Sequence, residues 1–225
     1  MTDNNLVILF DLDGTLIDST PAILESFAAA YEAHGLSVPP QERIVPMIGV
    51  PLSAMFERLG VSAARIESFV AAYKRHYRAV SREMTVLLPG AEEAVREAAG
   101  FARLGVVTTK TGKYSVELLE HLGLMPFFEV LVGSEHVTRH KPHPEPILKA
   151  IDAMAADPSR TWMVGDTPMD LEASAAAGVR AVGVTCGYAD EAALSPFGAP
   201  LAPDARSAVE RIALEASFPS RSDSI

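Results

Sequence analysis

From residue 88 onward the chain alternates short apolar runs with helix-patterned segments, and that alternation leaves few folds open. The runs fall at 104–107, 129–132, 161–164 and 181–184. The segments at about 91–100, 113–122, 144–155 and 169–177 space their apolar residues at helical intervals. Strands joined through helices run parallel, the crossovers are right-handed, and both faces of the resulting sheet are covered. A fifth run, Leu6-Val7-Ile8-Leu9-Phe10, stands far upstream and reads as a buried strand of the same sheet.

The stretch between follows a different pattern. Asp18-Ser19-Thr20 ahead of Pro21 reads as a capped helix start, with the helix running to His34. Segments 41–47, 52–59 and 62–80 carry apolar residues at helical intervals, separated by Gly35, Pro39-Pro40, Gly49, Pro51 and Gly60. The expected fold is therefore α/β: a Rossmann-like parallel-sheet core from residues 1–16 and 86–225, with a small all-helical domain, 17–85, inserted after the first strand. The serine-containing tail from Phe218 to Ile225 is expected to fray.

Composition narrows the class of partner. At 225 residues and 48% hydrophobic content the chain can bury a core, and a formal net charge of −10 argues against a broad nucleic-acid or anionic-membrane surface. Cys186, the one cysteine, cannot form an internal disulfide. No apolar run approaches the ~20 residues of a membrane span, and Met1-Thr2-Asp3-Asn4-Asn5 lacks the basic region of a secretory signal. A cytoplasmic protein, monomer or homodimer, is expected.

In open parallel sheets ligands collect beyond the carboxyl ends of the strands. The first run delivers Asp11-Leu12-Asp13-Gly14-Thr15 to that edge, the second Thr108-Thr109-Lys110, the third Gly133-Ser134, and the fourth Gly165-Asp166 with Asp170 four residues on. Lys141 follows the third run among prolines. Taken singly, each has an ordinary reading: an Asp as a turn former, Thr108 as a strand-end residue, Asp170 complementing a helix dipole, Lys141 as a solvated loop charge. Together, several carboxylates, a hydroxyl and an ammonium suit an oxygen-liganded divalent cation facing a phosphoryl group. His140 and His143, bracketing Pro142, make a poor zinc pair without further partners. Cys186 has no base named for it and reads as a packed small residue.

These segments resemble the haloacid dehalogenase superfamily, within it the phosphatases similar to phosphoglycolate phosphatase. The four motifs appear in order as Phe10-Asp11-Leu12-Asp13-Gly14-Thr15-Leu16, Val106-Val107-Thr108-Thr109-Lys110, Lys141-Pro142-His143-Pro144-Glu145-Pro146 and Val164-Gly165-Asp166-Thr167-Pro168-Met169-Asp170, and Gly183-Val184-Thr185-Cys186-Gly187-Tyr188 is also similar to that subgroup. The resemblance implies that Asp11 attacks phosphorus to form an aspartyl-phosphate and that Asp13 is the acid, then the base. Thr108 and Lys141 would hold phosphoryl oxygens, with Gly14 and Thr109 beside the phosphate or substrate. Mg2+ would be bound by Asp11, the Asp13 backbone carbonyl, Asp166 and Asp170. Thr109 stands where many relatives carry Asn. The dehalogenases that name the superfamily lack the second Asp, so Asp13 favours phosphate esters over halides.

The implied activity is magnesium-dependent hydrolysis of a small phosphorylated metabolite, with 2-phosphoglycolate as the first substrate expected. Pyrophosphate, a sugar phosphate, a nucleotide, a phosphoglucomutase-like transfer, or a phosphate-binding scaffold without catalysis stay open. Neither nucleic acid nor membrane is expected as a partner. Substrate choice is expected to lie in the helical insert, which resembles the family's cap. The candidates there are residues 43–52 and the cluster Tyr73-Lys74-Arg75-His76-Tyr77-Arg78, whose ordinary reading is a solvated helix face with both tyrosines packed inward.

Overall fold

The computed structural model describes residues 5–217. Strand β1 (Val7–Phe10) lies at the middle of a six-stranded sheet with β4 (Arg103–Val107), β5 (Phe128–Val132), β6 (Thr161–Gly165), β7 (Arg180–Val184) and β8 (Leu201–Ala202), ordered β5-β4-β1-β6-β7-β8. Every pairing in this sheet is parallel. The chain builds outward from β1 on one side through β4 and β5, then returns to its other side with β6. That reversal is a topological switch point, where a crevice opens at the strands' carboxyl ends.

Both faces of β1 are buried, and alternate residues serve opposite layers. Ile8 and Phe10 join Leu104, Val106, Trp162 and Val164 against α5 (Ala91–Ala99), α6 (Gly112–His121) and α10 (Ala205–Ser217). Val7 and Leu9 join Val107 and Met163 against α7 (Glu145–Ala153) and α8 (Pro168–Ala177). This two-sided burial is why the strands read as near-continuous apolar runs.

Every regular element of the insert between residues 20 and 80 is helical. Helix α1 (Thr20–Glu32) packs on α4 (Ala63–Val80), with α2 (Gln41–Ile44) and α3 (Leu52–Arg58) between them in sequence. The expected helix over 41–47 breaks at Val45–Met47 into a 3-10 turn containing Pro46, which cannot donate a backbone hydrogen bond. An aromatic cluster fills the insert: Phe27 and Phe56 lie 4.9 Å apart between centroids, Phe56 and Phe69 5.3 Å, Phe27 and Tyr73 5.2 Å. A short antiparallel ribbon of β2 (Ile17–Asp18) and β3 (Val86–Leu87) joins insert to sheet.

Several elements depart from the sequence reading. The ribbon strands and β8 are two residues long, too short for any periodic signal, and α9 (Glu191–Leu194) and α10 follow the last expected strand. Ser19 does not cap α1 with its side chain; Asp18 Oδ1 accepts from Thr20 N at 2.9 Å, and the Ser19 hydroxyl donates to Asp13 instead. Residues 218–225, where fraying was expected, lie outside the described residues. Among the described residues no helix is long and apolar enough to cross a membrane.

Candidate active site

The ladder fixes where each strand stops. Phe10 pairs with Val106 on one side and Val164 on the other, so Asp11 emerges between β4 and β6, its N–H donating to Val164 O at 2.9 Å. Asp166 follows β6, and Asp170 sits in the first turn of α8, where its Oδ2 accepts from Thr167 N at 3.0 Å and Thr167 Oγ1 at 2.7 Å. Carboxylate oxygens of Asp11, Asp166 and Asp170 all lie within 4.8 Å of one another, and all three residues are buried.

One cation faces them. Lys141 Nζ is 2.5 Å from Asp170 Oδ1, 3.0 Å from Asp11 Oδ1 and 3.1 Å from Val107 O. The contact to Asp11 is an ion pair without hydrogen-bond alignment, which leaves Asp11 Oδ1 a buried oxygen lacking a hydrogen bond. Three buried carboxylates against one ammonium leave an excess of negative charge. Burial, together with Asp170, pushes the Asp11 carboxyl up to about 7 despite the pull of Lys141. Burial, Asp170 and Asp11 hold Asp166 well above the carboxylate range. Lys141 is raised because Asp11 and Asp170 outweigh its own burial. Crowded carboxylates of this kind hold a proton or a cation, and an all-oxygen, buried, net-negative donor set fits a hard divalent metal.

Asp166 is fixed from three directions. Thr15 Oγ1 donates to its Oδ1 at 3.1 Å and Tyr188 N to its Oδ2 at 2.8 Å. Gly14, at φ +81°, and Gly187 press their backbones against the same carboxylate, and a Cβ at either position would overlap Oδ2. The space a side chain would take at Gly14 is therefore filled by Asp166 and Tyr188. Cys186 lies behind this group with Sγ 3.6 Å from Gly14 O, and burial and Asp166 raise its thiol to about 11, the wrong direction for a nucleophile.

Asp13 is turned away from the three-carboxylate cluster. Its Oδ2 is 2.9 Å from Lys110 Nζ, its Oδ1 accepts from the Ser19 hydroxyl, and Lys110 Nζ lies 4.7 Å over the ring of Tyr77. Burial pulls Lys110 down, but Asp13, Tyr77 and Tyr73 override it and the ammonium is raised well above its ordinary value. Thr108 is held by its N–H to Val132 O at 2.9 Å, and its Oγ1 accepts from Lys110 N at 3.2 Å.

A cavity of about 300 Å3 separates this part of the sheet edge from the insert. Asp13, Thr109 and Lys110 line it from below; Ile48 to Leu52, Tyr73, Lys74 and Tyr77 line it from above. Of the candidate insert residues, Arg43 does not reach it, His76 pairs with Glu25 at 2.9 Å, and Arg75 and Arg78 are exposed, while Tyr73 and Tyr77 point inward. His140 lines the cavity, whereas His143 Nδ1 accepts from Glu145 N; neither joins the carboxylate cluster. Lys110, Ser19, Thr15 and Tyr188 contact these groups, although no catalytic or binding role follows for them from the sequence alone. Lys110 and Thr15 stood inside the quoted motifs, whereas a hydroxyl six residues from Asp13 carries no spacing signal.

A family model described as "Haloacid dehalogenase-like hydrolase" matches residues 8–184. The chain belongs to that family. Pyrophosphatase PpaX of Halalkalibacterium halodurans is 36% identical over 184 residues, covering 81% of this chain and 83% of that one. A phosphoglycolate phosphatase of Salmonella typhimurium is 32% identical over 206 residues, covering 80% and 81%. A solved haloacid dehalogenase-like hydrolase from Bacteroides fragilis superposes with a TM-score of 0.81 at 31% identity, over 88% of this chain and 94% of its own. As a haloacid dehalogenase-like enzyme the chain is a hydrolase acting on phosphate esters, on the α/β fold with a helical cap.

Proposed function

We propose that the chain is a magnesium-dependent phosphatase that hydrolyses a small phosphomonoester through an aspartyl-phosphate on Asp11, with 2-phosphoglycolate as the substrate to test first. The observation that carries this reading is the meeting of Asp11, Asp166 and Asp170 around Lys141 at the centre of the sheet edge. In this reading a core of residues 1–16 and 86–225 performs the transfer, and a cap of residues 17–85 closes over it.

In the first half-reaction an Asp11 carboxylate oxygen forms the bond to phosphorus as the ester oxygen leaves, and the Asp13 carboxyl gives that oxygen its proton. In the second, Asp13 takes a proton from water as the water oxygen attacks phosphorus, releasing phosphate and restoring the Asp11 carboxylate. Lys141 and the Thr108 hydroxyl hold the phosphoryl oxygens, and Lys141 offsets their charge beside Asp11. Gly14 and Thr109 flank the phosphate or substrate. Bound by Asp11, the Asp13 carbonyl and Asp166, with Asp170 as ligand or support through water, magnesium supplies the positive charge that lets the carboxylates and phosphoryl oxygens share one site. The family and the absence of an internal disulfide support a cytoplasmic enzyme.

The name of the 36%-identical relative supports pyrophosphate as a second substrate reading. Magnesium-dependent phosphate release across a panel containing 2-phosphoglycolate, pyrophosphate, sugar phosphates and nucleoside monophosphates tests both. Highest kcat/KM on 2-phosphoglycolate upholds the first reading, and no magnesium-dependent release from any member rejects both.

A further inference from the structure

The cavity under the insert has a charge balance of its own. Its two acids are already engaged: Asp13 holds Lys110 and the Ser19 hydroxyl, and Glu135 accepts the N–H groups of Gly112 and Lys113 at 2.8 and 3.2 Å at the start of α6. Of its two lysines only one is matched. Lys110 has one partner carboxylate, and Lys74 makes no ion pair or hydrogen bond among the described residues.

From the mouth of the cavity a shallower hollow continues over α4, lined by Ala71, Lys74, Arg75, Arg78, Ala79 and Tyr114. It holds three cations and no acid, and it shares Lys74 and Tyr114 with the cavity. Arg78 lies 6.0 Å over the Tyr114 ring, and neither it nor Arg75 has a carboxylate partner among the described residues. A chain with a net charge of −10 does not place such a patch at a cavity mouth by composition alone.

We propose that Lys110 and Lys74 form a second anion subsite on the leaving-group side of the phosphoryl site, so that the enzyme prefers phosphate esters or anhydrides carrying a further carboxylate or phosphate. The inference rests on the phosphatase reading, because it takes Asp13 as the group that protonates the leaving oxygen. That assignment fixes where the rest of the leaving group goes. An oxygen within reach of Asp13 has its substituent in the cavity, beside an ammonium 2.9 Å from the same carboxylate. The buried faces of Tyr73 and Tyr77 keep that ammonium poorly hydrated, which strengthens its pull on an incoming anion. Lys74, with Arg75 and Arg78 outside it, draws the anion in from the rim.

The test compares 2-phosphoglycolate with ethyl phosphate, which replaces the carboxylate by a methyl group, on the magnesium-loaded enzyme. The account expects kcat/KM to favour the carboxylate by about tenfold or more, mainly through KM, as for one charged hydrogen bond. The preference falls towards parity in Lys74→Met and further in Lys74→Met/Arg78→Met. Pyrophosphate is the second arm, and the larger loss in Lys74→Met tells whether carboxylate or phosphate is the anion held. Equal kcat/KM for the two esters, or a ratio unmoved in both variants, overturns the subsite. If no ester is turned over, the phosphatase reading fails and calorimetry of the two esters decides the subsite separately. A preference of about tenfold lost in Lys74→Met then upholds it, and equal affinities reject it.

Discussion

Asp11 and Asp13 lie two residues apart and each meets a lysine, yet the two pairs sit in opposite surroundings. Lys141 is outnumbered by three carboxylates at the sheet edge, where charge is left over. Lys110 and Asp13 match one to one under the insert, between a serine hydroxyl and a tyrosine ring. On the proposed mechanism, the unbalanced pair calls for a cation and a phosphoryl group, and the balanced pair holds a carboxylate beside the part of the substrate that varies. One β-strand end thus divides into a transfer half belonging to the sheet and a selection half shared with the insert.

The largest effect expected is in the transfer half. Asp11→Asn removes the attacking oxygen and lowers kcat by ~10⁴-fold or more on every substrate, since loss of a nucleophile is of that order. Residual activity within about tenfold of wild type would falsify its role. Asp13→Asn should be more selective: a fall of ~10²–10⁴ in kcat on alkyl phosphates, as for loss of a general acid, and a smaller one in the first step for an aryl phosphate whose leaving oxygen needs no proton. Equal losses on both would merge the two halves that the geometry separates.

Stability separates them as well. Phe56→Ala empties the middle of the insert's aromatic cluster and should cost about 3–5 kcal/mol in denaturant unfolding. Because Phe56 does not touch the carboxylates, magnesium should still raise the melting temperature of this variant; loss of that response would show that the insert builds the metal site. A smaller effect is expected from pH. The Asp11 carboxyl, raised to about 7 by burial and Asp170, binds its proton more tightly folded than unfolded. Its contribution is present below the unfolded value near 4 and is lost as pH rises through about 7. Metal-free protein should therefore lose up to a few kcal/mol across that window, and added magnesium should restore most at the alkaline end. A shallower profile is the matching expectation in metal-free Asp11→Asn, where Asp166 is still raised by burial and Asp170, and an identical slope in that variant would assign the titration elsewhere.

The transfer half was also the more legible one in the sequence. Two-sided burial makes each core strand an apolar run, so the run's end marks the sheet edge and names Asp11, Asp13, Thr108 and Asp166 without a structure. Asp170 was named too, but not its double use, with one oxygen capping α8 through Thr167 and the other on Lys141. The selection half depends on contacts between distant segments. Lys110 meets Ser19 and Tyr77 across the domain junction, and Tyr188 reaches back both to Asp166 and to Thr20, 3.1 Å away. No periodicity encodes such meetings. The reading of Asp18-Ser19-Thr20 as a capped helix start shows the cost: Ser19 is of a capping type, and only the fold reveals that Asp13 takes its hydroxyl while Asp18 accepts from Thr20 N. The helix-face reading of 73–78 held for Arg75, His76 and Arg78 but missed that Lys74 turns into the cavity.

The division of labour between Asp11 and Asp13 is tested most directly by acid-quenching Asp13→Asn during reaction with 4-nitrophenyl phosphate and magnesium. That leaving group departs without an acid, while breakdown of the aspartyl-phosphate still lacks its base. The account predicts a burst of nitrophenolate equal to the enzyme concentration and a phosphoryl group on the peptide containing Asp11. Steady release with unlabelled protein, or label on any other residue, would contradict it.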